Sequence, residues 1–153
     1  MSISMRIKNH LDERKIPYVS LTHPQTYTAQ GTASTMHIPG QEVAKTVVVK
    51  AGSQYCLAAL PASRRLSLEK LGNILGSPAQ LATESEFSSL FPDCDLGAMP
   101  PLGEIYNLPV YVDESLAADR EIIFNAGTHQ DAIRMKFTDF ARLAQPILCS
   151  FAA

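Results

Sequence analysis

The chain has 153 residues, of which 46% are hydrophobic, and 13 basic against 15 acidic side chains give a formal net charge of −2. This length suits a single domain over residues 1–153, and the composition excludes a disordered chain and a membrane-spanning segment. The negative charge argues against a protein that wraps nucleic acid through many phosphate contacts, so we expect any RNA partner to be gripped locally.

The N-terminal half predicts, in chain order, helix 3–14, strand 18–22, helix 28–36 and a hairpin of strands 45–50 and 54–60. The first helix repeats its apolar residues every four positions, begins at Ser2 or Ser4, and ends by Pro17. The β-branched and apolar runs of the hairpin suit the centre of a sheet.

The C-terminal half predicts helix 67–75, helix 84–90, a turn-rich stretch 93–107, strands 108–113, 121–125 and 132–136, and helix 138–143. Gly76 ends the first of these helices, and Thr138 is the predicted cap of the last. Because the strands come in clusters and do not alternate strictly with helices, the pattern predicts an α+β fold. Its sheet is mixed or antiparallel, with helices packed outside.

The cysteines and acidic residues give no sign of a metal site. Cys56, Cys94 and Cys149 are odd in number and lack C-x-x-C spacing, which favours reduced, inert thiols and, together with an N-terminus that lacks a signal-like apolar run, a cytoplasmic location. The four histidines are scattered, and Asp93 and Asp95 are typical of a solvated acidic turn. We therefore predict no metal and no cofactor, and no hydrolase elbow, P-loop or dinucleotide motif is present.

The most unusual segment places two adjacent prolines between glycines: Gly97, Ala98, Met99, Pro100, Pro101, Leu102 and Gly103. The prolines fix φ and make this loop stiff. Its remaining amides could point at a ligand oxygen and form an oxyanion site; these are Ala98, Met99, Leu102 and Gly103. A plain surface turn uses the same residue types, so both interpretations stay open.

Lys45 begins the valine-rich strand and shares a face with Val47 and Val49. A lysine at the end of an apolar face could hold an anionic group such as phosphate at the mouth of a pocket. The alternative is a lysine whose stem lies over the valines while its ammonium reaches water.

The turn from Asn125 to His129 joins two predicted strands and brings together an amide side chain, the flexible Gly127 and an imidazole. Such a turn can line a pocket. A loop histidine that is simply polar surface is the alternative.

Taken together, these segments resemble the YbaK family of freestanding trans-editing proteins, which is related to the insertion domain of bacterial prolyl-tRNA synthetase. The resemblance spans nearly the whole chain. Its landmarks are segments 44–49, 97–103, 108–113 and 124–129. It implies one mixed α+β domain, partly barrel-like, that hydrolyses the ester between a wrong amino acid and the 3′ end of a tRNA without metal or cofactor.

The resemblance also implies roles for the candidate residues. The lysine matching Lys45 contacts the terminal nucleotide, the loop matching 97–103 holds the substrate through backbone groups, and the turn matching Gly127 and His129 borders the amino-acid pocket. The ribose hydroxyl of the substrate assists the chemistry. The expected catalytic residues are Lys45, Gly97, Ala98, Met99, Pro100 and Gly103. The expected substrate-binding residues are Thr46, Pro101, Leu102, Asn125, Gly127 and His129.

The expected substrate is therefore the acceptor end of an aminoacyl-tRNA, with tRNA for proline carrying alanine or another small residue as the preferred case. One methylene changes the binding free energy by only about 1–3 kcal/mol, so a synthetase cannot reject every small competitor by binding alone. A second, hydrolytic step then removes the wrong amino acid. Two rivals stay open. One is a non-catalytic module that binds a nucleotide or tRNA end. The other is a protein that docks on a synthetase, for which prolyl-tRNA synthetase is the candidate partner.

Overall fold

The computed structural model of the chain describes residues 4–26 and 28–153. The first helix begins at Met5, and the hydroxyl of Ser4 accepts a hydrogen bond from the amide of Arg6, which confirms Ser4 as its cap. The alternative cap Ser2 and the predicted helical residue 3 lie outside the described residues. The helix ends at Glu13, well before Pro17.

The helices of the described residues are α1 Met5–Glu13, α2 Ala29–Met36, α3 Leu68–Leu75, α4 Glu84–Phe87, α5 Gly103–Tyr106 and α6 Phe137–Ala144. The strands are β1 Val19–Thr22, β2 Ala44–Ala51, β3 Gln54–Pro61, β4 Ala79–Leu81, β5 Val110–Asp113, β6 Glu121–Asn125, β7 Asp131–Lys136 and β8 Ile147–Cys149. Short 3-10 turns occupy Gly40–Glu42, Ser88–Leu90 and Leu116–Ala118. Within the described residues, no helix is long and apolar enough to cross a bilayer.

The strands form two sheets. The five-stranded sheet has the order β4-β2-β3-β5-β8, with β2 and β3 antiparallel and β3, β5 and β8 parallel to one another. The three-stranded sheet is antiparallel in the order β1-β7-β6. A bridge from Val43 to Ile123 joins them just before β2 begins. The predicted α+β class, the mixed pairing and the central hairpin are confirmed.

Alternating side chains of the hairpin bury both of its faces. Val48 and Leu57 belong to the largest core, which also takes residues from the three-stranded sheet, α1 and α6. Val49 and Leu60 belong to a second core with Leu71 of α3. Each fully buried aliphatic side chain of this size contributes about 1.5–3 kcal/mol to folding. The strand β2 is therefore packed between two cores.

The last helix corrects one prediction. It begins at Phe137, directly after β7, with Lys136 as a cap that makes no side-chain capping bond, so the predicted Thr138 cap is wrong. The amide of Phe137 donates instead to the carbonyl of Arg120, at 2.9 Å. Backbone pairing at the end of the strand thus fixes the start of the helix and leaves the Thr138 hydroxyl no role there.

Candidate functional site

Lys45 lies at the start of β2, paired with Leu60 across the hairpin, and lines a cavity of about 680 Å³. Four segments form the wall: residues 28–30 from the cap and first turn of α2, 45–47 from β2, 62–65 after β3, and Gly97. The structure therefore brings Lys45, Thr46 and the first residue of the glycine and proline loop to one hollow. Of the predicted site residues, these three share the cavity wall.

The cavity wall is strongly cationic. Lys45, Arg64 and Arg65 line it, and no carboxylate is among the described residues of the wall. Burial lowers the pKa of the Lys45 ammonium, and the nearby charge of Arg65 lowers it further. Because these cations repel one another without a local counter-charge, an entering anion is favoured. The wall is suited to a phosphate or carboxylate group.

The loop that follows Gly97 is not a surface turn. Gly97 is exposed at the cavity, whereas residues 98–103 are all buried, and the side chains of Met99 and Leu102 belong to the largest core. Of the predicted loop residues, Gly97 lines the cavity. The others are placed behind it: Ala98, Met99, Pro100, Pro101, Leu102 and Gly103. Their packing holds Gly97 in position.

Two of the predicted loop residues, Ala98 and Gly103, take part in backbone contacts of the fold. The amide of Ala98 donates to the carbonyl of Asp95 at 3.0 Å, and the carbonyl of Ala98 accepts from Gly127 at 2.9 Å. Gly103 opens α5 so close to Leu108 that an added Cβ would stand 2.0 Å from the Leu108 carbonyl oxygen. The amide of Ala98 is therefore already paired and does not match the predicted oxyanion donor. Gly103 is needed for close backbone packing, and the predicted role of its amide stays a prediction.

The turn from Asn125 to His129 is hydrogen-bonded to the residues just before this loop. His129 is only 8% exposed, so the polar-surface interpretation is wrong. Its Nε2 donates to the carbonyl of Leu96 at 2.8 Å, while the carbonyl of Gly127 accepts from the amide of Asp95 at 2.7 Å. The structure thus places His129 and Gly127 next to the cavity rim, outside the residues that line it.

Asn125, at the end of β6, offers one further polar atom near this turn. Its Oδ1 is buried and receives no hydrogen bond from the described residues. A buried carbonyl oxygen without a donor costs free energy, roughly 1–3 kcal/mol, so it is suited to an amine or hydroxyl donor brought by a ligand. The predicted substrate-binding role of Asn125 stays a prediction.

The acidic turn before Gly97 is also part of the support. Asp93 accepts hydrogen bonds from the hydroxyls of Ser4 and Tyr106, so it is not the solvated residue that the sequence predicts. The Cys94 thiol lies 3.2 Å from the same Tyr106 hydroxyl, and burial raises the pKa of this thiol to about 12. Cys94 is therefore protonated and unreactive at neutral pH.

Two wall segments were missed by the sequence analysis. The hairpin register pairs Ala44 with Pro61, so the residues that follow β3 must pass beside Lys45. Following that register beyond the strand would have indicated Arg64 and Arg65. The contribution of 28–30 carries no comparable signal. Among the described residues, no group of three or more potential metal ligands comes together.

Comparisons with known proteins show sequence similarity over most of the chain. A family model described as an aminoacyl-tRNA editing domain matches residues 23–143. The multifunctional Ser/Thr-tRNA deacylase ProXp-y of Escherichia coli strain K12 is 35% identical over 102 residues, which is 65% of this chain and 60% of the relative. The protein of the same name from Escherichia coli O157:H7 matches equally. The aligned region thus spans 60% of the length of the curated relatives.

Solved structures show the same fold. A crystal structure described as that of a proposed trans-editing enzyme for prolyl-tRNA synthetase superposes with a TM-score of 0.84 at 25% identity, covering 97% of this chain and 95% of the other. The hypothetical protein APE2540 superposes with a TM-score of 0.88 at 17% identity, covering 97% and 99%. At 17% identity, this second match supports the fold only.

Proposed function

The chain belongs to the family of aminoacyl-tRNA editing domains, which confirms the predicted resemblance, and from this premise we propose that it is a deacylase acting in trans on mischarged tRNA. It hydrolyses the ester that links a wrong, small amino acid to the 3′ end of the tRNA. The observation that carries this proposal is the cationic cavity shared by Lys45 and Gly97.

The cavity is suited to the single-stranded acceptor end. The ammonium of Lys45 and the guanidinium groups of Arg64 and Arg65 can hold the terminal phosphate and ribose, while Gly97 lets the ester approach the backbone without a side chain in between. The chain as a whole has a net charge of −2. Attraction is thus concentrated at the tRNA tip, as expected for local contact.

The chemistry needs positioning more than a protein nucleophile. An aminoacyl ester is activated, and a well-oriented water attacks it far faster than water does in bulk solution, releasing the amino acid as a carboxylate and leaving a free ribose hydroxyl on the tRNA. In the proposed reaction, the ribose hydroxyl of the substrate assists water at the carbonyl, and the Lys45 ammonium stabilises the charge that develops. Lys45 has the strongest claim to this role because it is partly buried in the wall.

We propose serine and threonine as substrates in preference to the predicted alanine. The wall contains the hydroxyl-bearing residues Thr28, Thr46 and Ser63, which could form hydrogen bonds with a substrate hydroxyl. A site that pairs a substrate hydroxyl discriminates strongly against analogues that lack one. The name of the curated relative, a Ser/Thr-tRNA deacylase, supports the same preference. tRNA for proline stays the first acceptor to test, because one solved relative is described as acting for prolyl-tRNA synthetase.

The experiment is a single-turnover deacylation assay with one tRNA for proline charged in turn with alanine, serine, threonine and proline. We expect release of a small amino acid and retention of proline. Tight binding without release of any amino acid would contradict the enzyme and favour the non-catalytic module. Release that requires added prolyl-tRNA synthetase would favour the docking protein.

Lys45→Ala should lower kcat/KM about 10- to 100-fold, the effect of losing a charge-assisted hydrogen bond. Lys50→Ala is the matched control, since Lys50 lies on the same strand but pairs with Glu86 at 2.8 Å outside the cavity wall. It should keep full activity. Equal activity of the Lys45 variant and the wild type would remove Lys45 from the site.

A further inference from the structure

Residues 151–153, which we call the tail, pair with the segment that carries Arg65. The amide of Ala153 donates to the carbonyl of Arg65 at 2.7 Å, and the amide of Arg65 donates back to Ala153 at 3.3 Å. The amide of Ser67 donates to Phe151 at 2.8 Å, and an antiparallel bridge joins Leu66 to Ala152. The tail therefore holds residues 65–67 through backbone hydrogen bonds, and Arg65 of this segment lines the cavity wall.

Asp113, at the end of β5, holds the tail itself. The carboxyl is almost fully buried, with the residue 2% exposed, and its Oδ1 accepts the amides of Phe151 and Ala152, both at 2.8 Å. Its Oδ2 accepts the amide of Ser115 at 3.0 Å and the hydroxyl of the same residue. These donors are neutral, and no ion pair of Asp113 occurs among the described residues. The carboxylate thus serves as an anchor for backbone amides.

The charge state of Asp113 fits this use. Burial raises the pKa of its carboxyl, but the hydrogen bonds from Ser115 and from the amides of Ala152 and Phe151 outweigh burial, so the pKa lies below its ordinary value. The group is therefore ionised at neutral pH and accepts at both oxygens.

The position of Arg65 matters because its side chain lies beside Lys45 at the cavity wall. It lines the same wall as Lys45, and the charge of Arg65 lowers the pKa of the Lys45 ammonium, so the two cations are close enough to repel. A fixed backbone sets the point from which this long side chain reaches the wall, although the side chain keeps its own rotamer freedom. The tail fixes that backbone at both its amide and its carbonyl.

We propose that Asp113 is a positioning residue for substrate binding: it anchors the tail, and the tail holds Arg65 beside Lys45 at the cavity wall. This inference rests on the proposed function, because it assigns Arg65 to the phosphates of the tRNA end. Asp113 itself touches no substrate. It acts through backbone hydrogen bonds that run from the end of β5 to the cavity.

The test is a double-mutant cycle of Asp113→Asn and Arg65→Ala. The side-chain amide that Asp113→Asn introduces would present a donor to groups that themselves donate, so the anchor loosens while the side-chain volume is kept. Each single variant should raise KM about 5- to 10-fold with kcat within about twofold, and should reduce the slope of log kcat/KM against log salt by about 0.7, the effect of one phosphate contact. The double variant should match Arg65→Ala alone, because both changes remove the same contact.

Two controls separate positioning from general loss of stability. Phe140→Leu, in the largest core and away from the cavity wall, lowers the melting temperature but should leave KM and the salt slope unchanged. Ser115→Ala removes one hydrogen bond to Asp113 and should raise KM in the same direction by a smaller factor, which keeps the test available if Asp113→Asn does not fold. Additive effects of Asp113→Asn and Arg65→Ala would overturn the inference, as would an unchanged KM in either single variant.

Different results would contradict the proposed function and the positioning role of Asp113. If the wild type releases no amino acid from any charged tRNA, the proposed function fails, and the same cycle is then measured as the Kd of an uncharged acceptor-stem minihelix. Coupled losses of affinity there support the positioning role of Asp113. If the wild type is active but Arg65→Ala leaves both KM and the minihelix Kd unchanged, the deacylase stands and the positioning role is overturned.

Discussion

Gly97 and Gly76 both adopt left-handed backbone conformations, with φ of 86° and 75°, but only Gly97 lies at the cavity. A Cβ at position 76 would meet nothing within 4 Å, and one at position 97 would stand 3.5 Å from Cε1 of His129. At both positions the left-handed backbone favours glycine. Substituting alanine therefore introduces similar backbone strain at each position, and only the substitution at Gly97 also affects the cavity.

Gly97→Ala and Gly76→Ala should each lower the free energy of unfolding by about 1–2 kcal/mol, the cost of a left-handed conformation for alanine. Urea denaturation measures this change. Deacylation by Gly97→Ala should fall at least about tenfold because a methyl group enters the cavity rim. Gly76→Ala should retain wild-type kcat/KM. Full activity of Gly97→Ala would show that the ester does not approach this backbone.

At the scale of elements, the loop 97–103 is held by the contact of α5 with the residues before β5. The amide of Leu108 donates to the carbonyl of Gly103 at 2.9 Å. A Cβ on Gly103 would lie 2.0 Å from the Leu108 carbonyl oxygen and 2.6 Å from Cγ2 of Val110. Since the nearest atom is backbone, the contact cannot be relieved by a side-chain rotation.

Gly103→Ala should therefore cost about 3 kcal/mol or more of stability, at the upper end for overpacking. Thermal unfolding followed by circular dichroism measures it, with Gly76→Ala as the control that has strain without overlap. A melting temperature equal to that of Gly76→Ala would mean that the close approach of α5 to Leu108 is absent in solution.

The same elements show what the sequence could predict. The helix α3 was foreseeable because Ser67 caps it and Gly76 ends it, which are local signals. The short elements β4, α5 and β8 were not predicted, because three or four residues carry no periodicity and their conformation depends on pairing with neighbours.

The candidate site divides in the same way. Lys45 was identified from its place at the head of a strand and from the family resemblance. Burial of residues 98–103 reverses the accessibility expected of a proline-rich turn, because Met99 and Leu102 are drawn into the core. Arg64 and Arg65 reach the wall through the hairpin register, which is long-range geometry that composition does not reveal.

At the scale of the whole molecule, Asp119 makes stability depend on pH. Burial raises the pKa of its carboxyl from the ordinary 3.8 to about 6, and the charge of Glu42 adds to the rise. Between about pH 4 and about pH 6, Asp119 is protonated in the folded chain and ionised in the unfolded chain. Its contribution to stability is therefore fully present below about pH 4 and is lost as the pH rises through about 6.

Asp119→Asn should therefore be more stable than the wild type at pH 7.5, by about 2–4 °C in melting temperature, after discounting for the solvent that still reaches the carboxyl. The difference should shrink toward zero by pH 4. Glu114→Gln, which removes an exposed carboxylate close in sequence, is the control for the loss of one negative charge. A constant difference from pH 4 to 7.5 would contradict the raised pKa.

The whole-molecule charge and the cationic wall together predict a shallow salt dependence. Three cations line the cavity in a chain of net charge −2. Contact with a single-stranded end through these three groups gives a slope of log kcat/KM against log salt of about −2. Deacylation rates measured between about 50 and about 200 mM KCl provide the value. A slope near −6 would indicate a far larger tRNA surface than this cavity offers.

The most direct test of the account maps where the charged tRNA tip binds. An adenosine carrying serine through a non-hydrolysable 3′-amide is titrated into isotope-labelled protein, and backbone amide shifts are recorded. The account predicts the largest changes at Lys45, Thr46, Arg64, Arg65 and Gly97, with loss of these changes in Lys45→Ala. Saturable shifts confined to the open cleft beside α3, which is lined by Asn73 and Ser77, would contradict it.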